Sequence, residues 1–375
     1  MALSLRDKLK SVSVQKKAPV RPPSDGCLVR SWHQEKTEGG LRKTLPGDVM
    51  SVMLGVPAED IDRRSLLFLD TETTGLSGGA GTVAFLVGVG YFDGDEMTVE
   101  QYLMRDYDEE AFVLSRVADR IRERGTLCTF NGSTFDLPLL ENRMIMNRMR
   151  MPAYERHIDL VHIARRVWKL RLKKCNLTHL EEAVLGRTRQ DDLPGAQVPE
   201  RYFSFLKTGN MGLLEDVLTH NRQDIASLSD VLERLIALHA SPLTAPARED
   251  IFSLGRIYDK RGQAEMARKC YRAARGGSLT APSDRLLAES LRRSGLYAQS
   301  AAAYERALHT GSGDVRLHIA LAKIYEHKTG DLPAALRHTR QALALCAENG
   351  GGEIQDIQKR YRRILQKIRR DTSWD

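Results

Sequence analysis

The chain has 375 residues, about two and a half times the ~150 residues of an average domain, which excludes a single small domain and leaves room for two folded units with tails. Hydrophobic residues at 42% and charged residues at 28% exclude wholesale disorder, and 57 Lys and Arg against 49 Asp and Glu give a formal net charge of +8, which favours an anionic partner such as nucleic acid. The five cysteines are scattered and form no CxxC pair, which excludes a disulfide framework and a structural zinc site. Val83 to Phe92 is the most apolar stretch and about half the ~20 residues that a membrane helix needs. The basic N-terminus is interrupted by Arg6, Asp7 and Lys8 and has no signal-peptide core. A cytoplasmic protein with no membrane partner is expected.

In chain order, residues 1 to about 45 are rich in Lys and Arg, and VRPPSDG blocks regular structure, so a basic flexible leader is expected. From Ser65, SLLFLD, VAFLVGVGYF and MTVEQYLM read as three strands, the second turn closing around Asp93 to Asp95. EEAFVLSRVADRIRERG then repeats its apolar residues at the helical period, with Gly125 placed to end the helix. TLCTFN reads as a buried strand, FDLPLLENRMIMNRM as a helix, and HIDLVHIARRVW as a strand running into a helix. LTHLEEAVLG is a short helix with Gly186 past its end, and a last helix spans about Leu213 to Leu238. Strands followed by alternating strands and helices predict an α/β unit with a mixed central sheet, over residues 46–240.

Beyond Ala247 the strand pattern stops and the chain repeats itself. Leu254, Gly255, Tyr258, Gly262, Ala267 and Tyr271 recur 33 positions later as Leu287, Ala288, Leu291, Gly295, Ser300 and Tyr304. A third copy follows with Leu321, Ala322 and Tyr325 and, after one inserted residue, Gly330, Ala335 and Thr339. A period close to ~34 residues, with small residues where helices must approach and aromatics filling the gaps, matches the tetratricopeptide (TPR) helix–turn–helix pattern. Three such all-α repeats over 248–346 would bind a protein partner, and 347–375 would form a basic capping helix and tail.

Three short segments carry the chemistry. Asp70-Thr71-Glu72 ends an apolar strand, where the two-residue period points both carboxylates to one face. Two adjacent acids repel, and a hard divalent cation such as Mg²⁺ or Mn²⁺ relieves them. In FNGSTFD, Asp136 stands near a helix start, where an ordinary first-turn acid is equally expected. In HNRQD, His220 and Asp224 share a helix face at i,i+4, which on its own describes many surface pairs.

Taken together and in this order, FLDTETTGL, FNGSTFDLPLL and HNRQD resemble the three motifs of the DEDD superfamily of 3′→5′ exonucleases, which have a ribonuclease H-like fold. The resemblance covers roughly residues 65–235, and the fusion to repeats resembles a bacterial group with the same arrangement. It implies that Asp70, Glu72, Asp136 and Asp224 hold two Mg²⁺ or Mn²⁺ ions. Asp70 would bridge both, Glu72 and Asp224 would complete the ion that activates water, and Asp136 would hold the second. His220 would take the water's proton. One branch of the superfamily has tyrosine four residues before the last aspartate and the other has histidine five before it. Here the spacing is that of the first and the residue that of the second.

The implied function is removal of nucleotides from single-stranded DNA or RNA ends, with terminal cleavage resting on the resemblance alone. The competing expectation is a nucleic-acid-binding scaffold on the same fold with little or no turnover. Thr71, Thr73 and Asn131 are candidates for gripping the terminal nucleotide, or for satisfying turns. Arg165, Arg166 and Lys169, with Arg171, Lys173 and Lys174 around Trp168, form either a path for a single strand or a solvated helix face. Gly75, Gly78, Gly79 and Gly81 make a turn with no GK[ST] after it, which excludes a P-loop. His157, Asp159 and His162 straddle a strand-to-helix change, so packing or support by Asp159 is expected rather than zinc.

Overall fold

In this computed structural model, residues 27–34, 40–75, 81–189, 193–310, 314–349 and 354–371 are described. Most of the expected basic leader, the glycines at 78 and 79, and Asp191 and Asp192 lie outside them. The chain divides into two compact units, one of residues 1–45, 60–162 and 176–233 and the other of 46–59, 163–175 and 234–375.

The first unit is an α/β domain built on a mixed six-stranded sheet. Its strands are β1 (Leu28–Gln34), β4 (Leu66–Thr73), β5 (Ala84–Asp93), β6 (Glu96–Leu103), β7 (Thr126–Thr129) and β8 (Arg156–Asp159), in the order β1-β6-β5-β4-β7-β8. A two-stranded ribbon of β2 (Thr44–Leu45) and β3 (Ile61–Asp62) stands apart from it. β1, β6, β5 and β4 pair antiparallel, whereas β7 and β8 run parallel to β4. Between β5 and β6 the chain turns through Gly94 at φ 64°, a left-handed conformation that suits glycine.

Residues 28–34 correct the expectation of a flexible leader up to 45. LVRSWHQ pairs with β6 over its whole length as an edge strand. Its half-buried residues Leu28, Arg30 and Trp32 alternate with exposed Val29, Ser31 and His33, the period of two expected of a strand with one covered face. Arg30 donates two bonds to Glu215 at 2.7 and 2.8 Å, and the Arg222 guanidinium lies 5.1 Å from the Trp32 ring.

The core of this unit is apolar on both sides of β5, all of whose residues but the last are buried. α2 (Glu110–Arg124) covers it through Val113, Leu114, Val117 and Ile121 and ends at Gly125 in the left-handed conformation. α6 (Val198–Thr208) stacks Tyr202 on Phe85 with ring centroids 4.0 Å apart. The other helices are α3 (Asp136–Met146), α4 (Leu160–Leu172), α5 (Leu177–Leu180, widening into a π turn over Glu181–Leu185) and α7 (Glu215–Ala240). α4 and α7 each run from the first unit into the second.

The second unit is helical. After α1 (Gly47–Leu54), the C-terminal region forms hairpins α8 (Arg248–Lys260) with α9 (Ala264–Ala273), α10 (Thr280–Arg293) with α11 (Tyr297–Thr310), and α12 (Val315–Ile324) with α13 (Leu332–Asn349). Gly255 packs where an added Cβ would lie 2.9 Å from Cys270, so a small residue is required for the first hairpin to close. α14 (Ile354–Asp371) is held through one buried acid: Glu326 accepts bonds from Arg363 at 2.7 and 2.8 Å, from Lys367 at 2.9 Å and from Arg360. The five cysteines form no disulfide, and no described helix is long and apolar enough to cross a membrane.

Because Glu326 gathers three cations, Glu326→Ala leaves them facing one another without an acceptor. Loss of one partner of a buried ion pair costs roughly 3 kcal/mol. Hydrogen exchange should show faster opening across residues 354–371 in this variant and little change in β4 to β6.

Candidate active site

Three parallel strands set the place of the site. In β4, β7 and β8, Phe68 is level with Cys128, and Thr129 with Asp159, so the carboxyl ends of all three strands reach the same edge of the sheet. That edge is where α/β sheets of this kind bind ligands. Asp70, Thr71 and Glu72 leave β4 there, the pairing with β5 becoming irregular between Glu72 and Thr73. The turn after β7 delivers Asn131 to Asp136 to the same edge.

Asp70 is the electrostatic centre. Withdrawal from water, then the neighbouring Asp224, Asp136 and Glu72 in that order, push its carboxyl well above the usual aspartate range, opposed by a bond from Asn221. Part of the residue still touches solvent. The three motifs therefore meet.

Asn221 reaches Asp70 through a row across the sheet. Gln101, Gly88 and Asp70 are register partners on β6, β5 and β4. Gly88 has no side chain, and the Asn221 amide fills the gap: a Cβ there would lie 2.1 Å from its Oδ1. Gln101 donates from Nε2 to that Oδ1 at 2.7 Å and to the Leu218 carbonyl at 2.8 Å. This fixes the amide so that Nδ2 donates to Asp70 Oδ2 at 2.9 Å. Two residues on, Gly90 makes room for Ile225 in the same way, so α7 lies close along β5 and carries Asn221 and Asp224 to the strand ends.

Asp136 is the first residue of α3 and is buried. Thr71 Oγ1 donates to it at 2.6 Å. Burial pushes its pKa up to about 6, with the Thr71 and backbone bonds pulling the other way and Asp159 adding repulsion. Asp159 itself folds the turn: it accepts from the Asn131 and Ser133 amides at 2.7 and 3.1 Å, from Ser133 Oγ at 2.5 Å and from the Val161 amide at 3.3 Å. These bonds outweigh its burial and hold its carboxyl below the usual range. Asn131 sits at φ 69°, and the amide bond to Asp159 steadies that left-handed residue.

Asp224, raised by burial, is bonded to Arg189. His220 stands one helical turn before it, with Nε2 3.5 Å from Asp224 Oδ2 and Nδ1 3.2 Å from Arg189 Nη1. Arg189 is forked onto Glu181, with Nε to Oε2 at 2.6 Å and Nη2 to Oε1 at 2.5 Å. Burial works against the guanidinium's charge, and the two carboxylates override it.

Asp70, Glu72, Asp136, Asp224 and His220 are thus drawn to one place, with Thr71 inside the site and Thr73 beside it. Thr73 Oγ1 bonds its own turn, at the Gly75 carbonyl. Arg165, Arg166 and Lys169 belong to the second unit, where Arg166 donates to the Met53 carbonyl at 2.6 Å. Sequence reasoning missed Asn221, Gln101, Glu181 and Arg189. As to a metal, the carboxylate donors are oxygen-only, a set that suits a hard divalent cation. As placed, each aspartate answers to a protein donor instead, and among the described residues no three His, Cys, Asp or Glu side chains are gathered around one cation position.

Beside Glu72 and Asp136 a cleft of about 830 Å³ is lined by Thr71, Thr73, Phe135, Leu139, Asn142 and Val198, among others. Phe135 is 55% exposed, so its ring is presented to whatever enters.

Residues 67–236 match the RNase_H superfamily model. The chain is 29% identical over 317 residues to "Uncharacterized protein YprB" of Bacillus subtilis (strain 168), an alignment covering 83% of this chain and 76% of that protein. Among solved structures, the family B DNA polymerase of the hyperthermophilic archaeon Pyrobaculum calidifontis matches with 13% identity and a TM-score of 0.36, over 63% of this chain and 34% of the polymerase. This chain therefore spans about a third of the polymerase's length.

The raised pKa of Asp136 has a pH signature. An unfolded aspartate titrates near 3.9, so between about 4 and 6 the folded state holds the extra proton and stability falls as pH rises through that window. Without metal, the protein should melt higher at pH 5 than this group allows at pH 7.5. Asp136→Asn removes that cost, gaining on the order of 1–3 kcal/mol at pH 7.5 and flattening the profile in thermal denaturation.

Proposed function

We propose that the RNase H-like domain is a divalent-metal-dependent 3′→5′ exonuclease acting on single-stranded nucleic acid in the cytoplasm. The observation that carries this reading is the run of contacts that brings Asp70, Asp136 and Asp224 to the carboxyl edge of β4 and β7, Asn221 on Asp70, Thr71 on Asp136 and Arg189 on Asp224, with Glu72 beside the cleft. Bound Mg²⁺ or Mn²⁺ would supply a lowered pKa for water and neutralisation of charge on the phosphate and the leaving oxygen. Asp70, Glu72, Asp136 and Asp224 are the residues that would hold them.

The chain's own groups do the rest. Asn221, oriented by Gln101, aims the Asp70 carboxylate. Thr71 aims that of Asp136. His220, beside Asp224, is the ring that would accept the proton of the attacking water. The adjoining cleft is of the size that takes a nucleotide, and the exposed Phe135 ring offers an unpaired base a stacking partner regardless of its identity. Thr73 and Asn131 lie at the turns that flank the terminal nucleotide in this reading. The helical hairpins over 248–346, with the small residues that recur near the 34-residue period, read as three tetratricopeptide repeats that bind a protein, capped by 347–375.

A second reading, nucleic-acid binding without turnover, draws support from Arg189, whose guanidinium occupies Asp224 and faces His220. A 5′-labelled single-stranded oligonucleotide incubated with the full chain and Mn²⁺ separates the two. The exonuclease reading expects a ladder shortening one nucleotide at a time from the 3′ end. Asp70→Ala or Asp224→Ala should reduce the rate by more than the roughly 10–100-fold that loss of a merely supporting residue costs. Undiminished cleavage by either variant, or binding with no cleavage in any divalent metal, contradicts it.

A further inference from the structure

Arg189 and Glu181 are nearly out of water, their side chains 6% and 4% exposed. A buried pair of this kind usually closes on itself, yet this guanidinium carries a third and a fourth contact, to Asp224 and to His220. An arginine has donors only, so the His220 nitrogen 3.2 Å from Nη1 must present its lone pair. In this arrangement Nδ1 is turned to Arg189 and Nε2 to Asp224, whose Oδ2 lies 3.5 Å away. The ring is thus held by a protein group on each side, Arg189 at Nδ1 and Asp224 at Nε2.

The same guanidinium sits on Asp224, one of the four carboxylates that would hold a cation. It neutralises Asp224 Oδ1, and a divalent ion on that carboxylate would meet a fixed positive charge at van der Waals range, which repels it strongly in a site poor in water. Glu181 makes withdrawal feasible. With two bonds to Glu181 retained, the fork can release Asp224 and His220 without losing its own counter-charge.

We propose that Arg189 is a resident counter-cation of the acidic cluster, which holds Asp224 and masks His220 in the metal-free protein and must release both for a divalent ion to bind. The inference rests on the metal-site reading above and adds to it a coupling: metal occupancy and exposure of the His220 lone pair become one event. In the absence of metal, Arg189 relieves part of the repulsion that would otherwise unsettle the strand ends.

The test is titration of the full chain with Mn²⁺ alone, by calorimetry at pH 7.5, comparing wild type, Asp70→Asn and the double variant Arg189→Gln/Glu181→Gln. Both partners are replaced so that the Glu181 carboxylate is not left buried without its own counter-charge. A competing charged hydrogen bond removed from Asp224 should tighten Mn²⁺ binding by about tenfold or more, lower the metal-free melting temperature and enlarge the rise that Mn²⁺ produces. A folded double variant that binds Mn²⁺ no tighter than wild type, while Asp70→Asn abolishes binding, overturns the role of Arg189 and leaves the metal site standing. If neither wild type nor the double variant binds Mn²⁺, the metal-site reading fails and this inference falls with it. A measurement on the wild type keeps the question open to refutation should the double variant not fold. The Arg189 Nε–H resonance, identified by its loss in Arg189→Lys, should shift on Mg²⁺ saturation, and an unmoved resonance overturns the proposal.

Discussion

Four carboxylates cannot share the end of a strand in a place short of water unless something positive stands among them. The structure meets that constraint with dipoles and one guanidinium: an amide on Asp70, a hydroxyl on Asp136 and Arg189 on Asp224. These partners differ in what they can give. The amide and hydroxyl orient a carboxylate and leave its second oxygen and its charge in place, whereas the guanidinium cancels charge. The site is thereby partly neutralised while keeping the deficit of positive charge that a hard cation would fill.

The sheet explains why residues so distant in the chain arrive together. β7 and β8 run parallel to β4, so their following turns emerge beside Asp70, and Asp159 ties the β7 turn by bonding three of its groups. α7 comes to the same edge because β5 gives way beneath it at Gly88 and Gly90. A bulkier residue at either position would lift the helix, and Asn221 and Asp224 with it. Packing and chemistry are therefore set by the same two glycines, and the linkage from sequence to site passes through the absence of side chains as much as through their presence.

Much of this was legible in the sequence. Alternation and helical period located β4 to β8 and the helices between them, and two of the acidic motifs stood out because Asp70 and Glu72 fall near the end of a strand and Asp136 at the start of a helix. The edge strand β1 was not, although LVRSWHQ alternates, because prolines and basic residues upstream suggested a tail and because pairing with β6 is a long-range property. Asn221 lay unseen inside the HNRQD motif, whose end residues drew attention by their chemistry. The signal that could have found it was VGVG, two glycines on one face of a buried strand, which announces the close approach of another element. Arg189 carried no local signal, since a guanidinium between two short helices acquires meaning only when folding sets Glu181 on one side and Asp224 on the other.

The most direct test of the central claim is crystallographic. Diffraction from crystals grown with Mn²⁺, measured at an energy where manganese scatters anomalously, locates the ion without reference to activity. The account predicts anomalous density bounded by the Asp70, Asp136 and Asp224 carboxylates, with the Arg189 guanidinium on Glu181 and off Asp224. Anomalous maps empty at these carboxylates at saturating Mn²⁺, with Arg189 still bonded to Asp224, would contradict it.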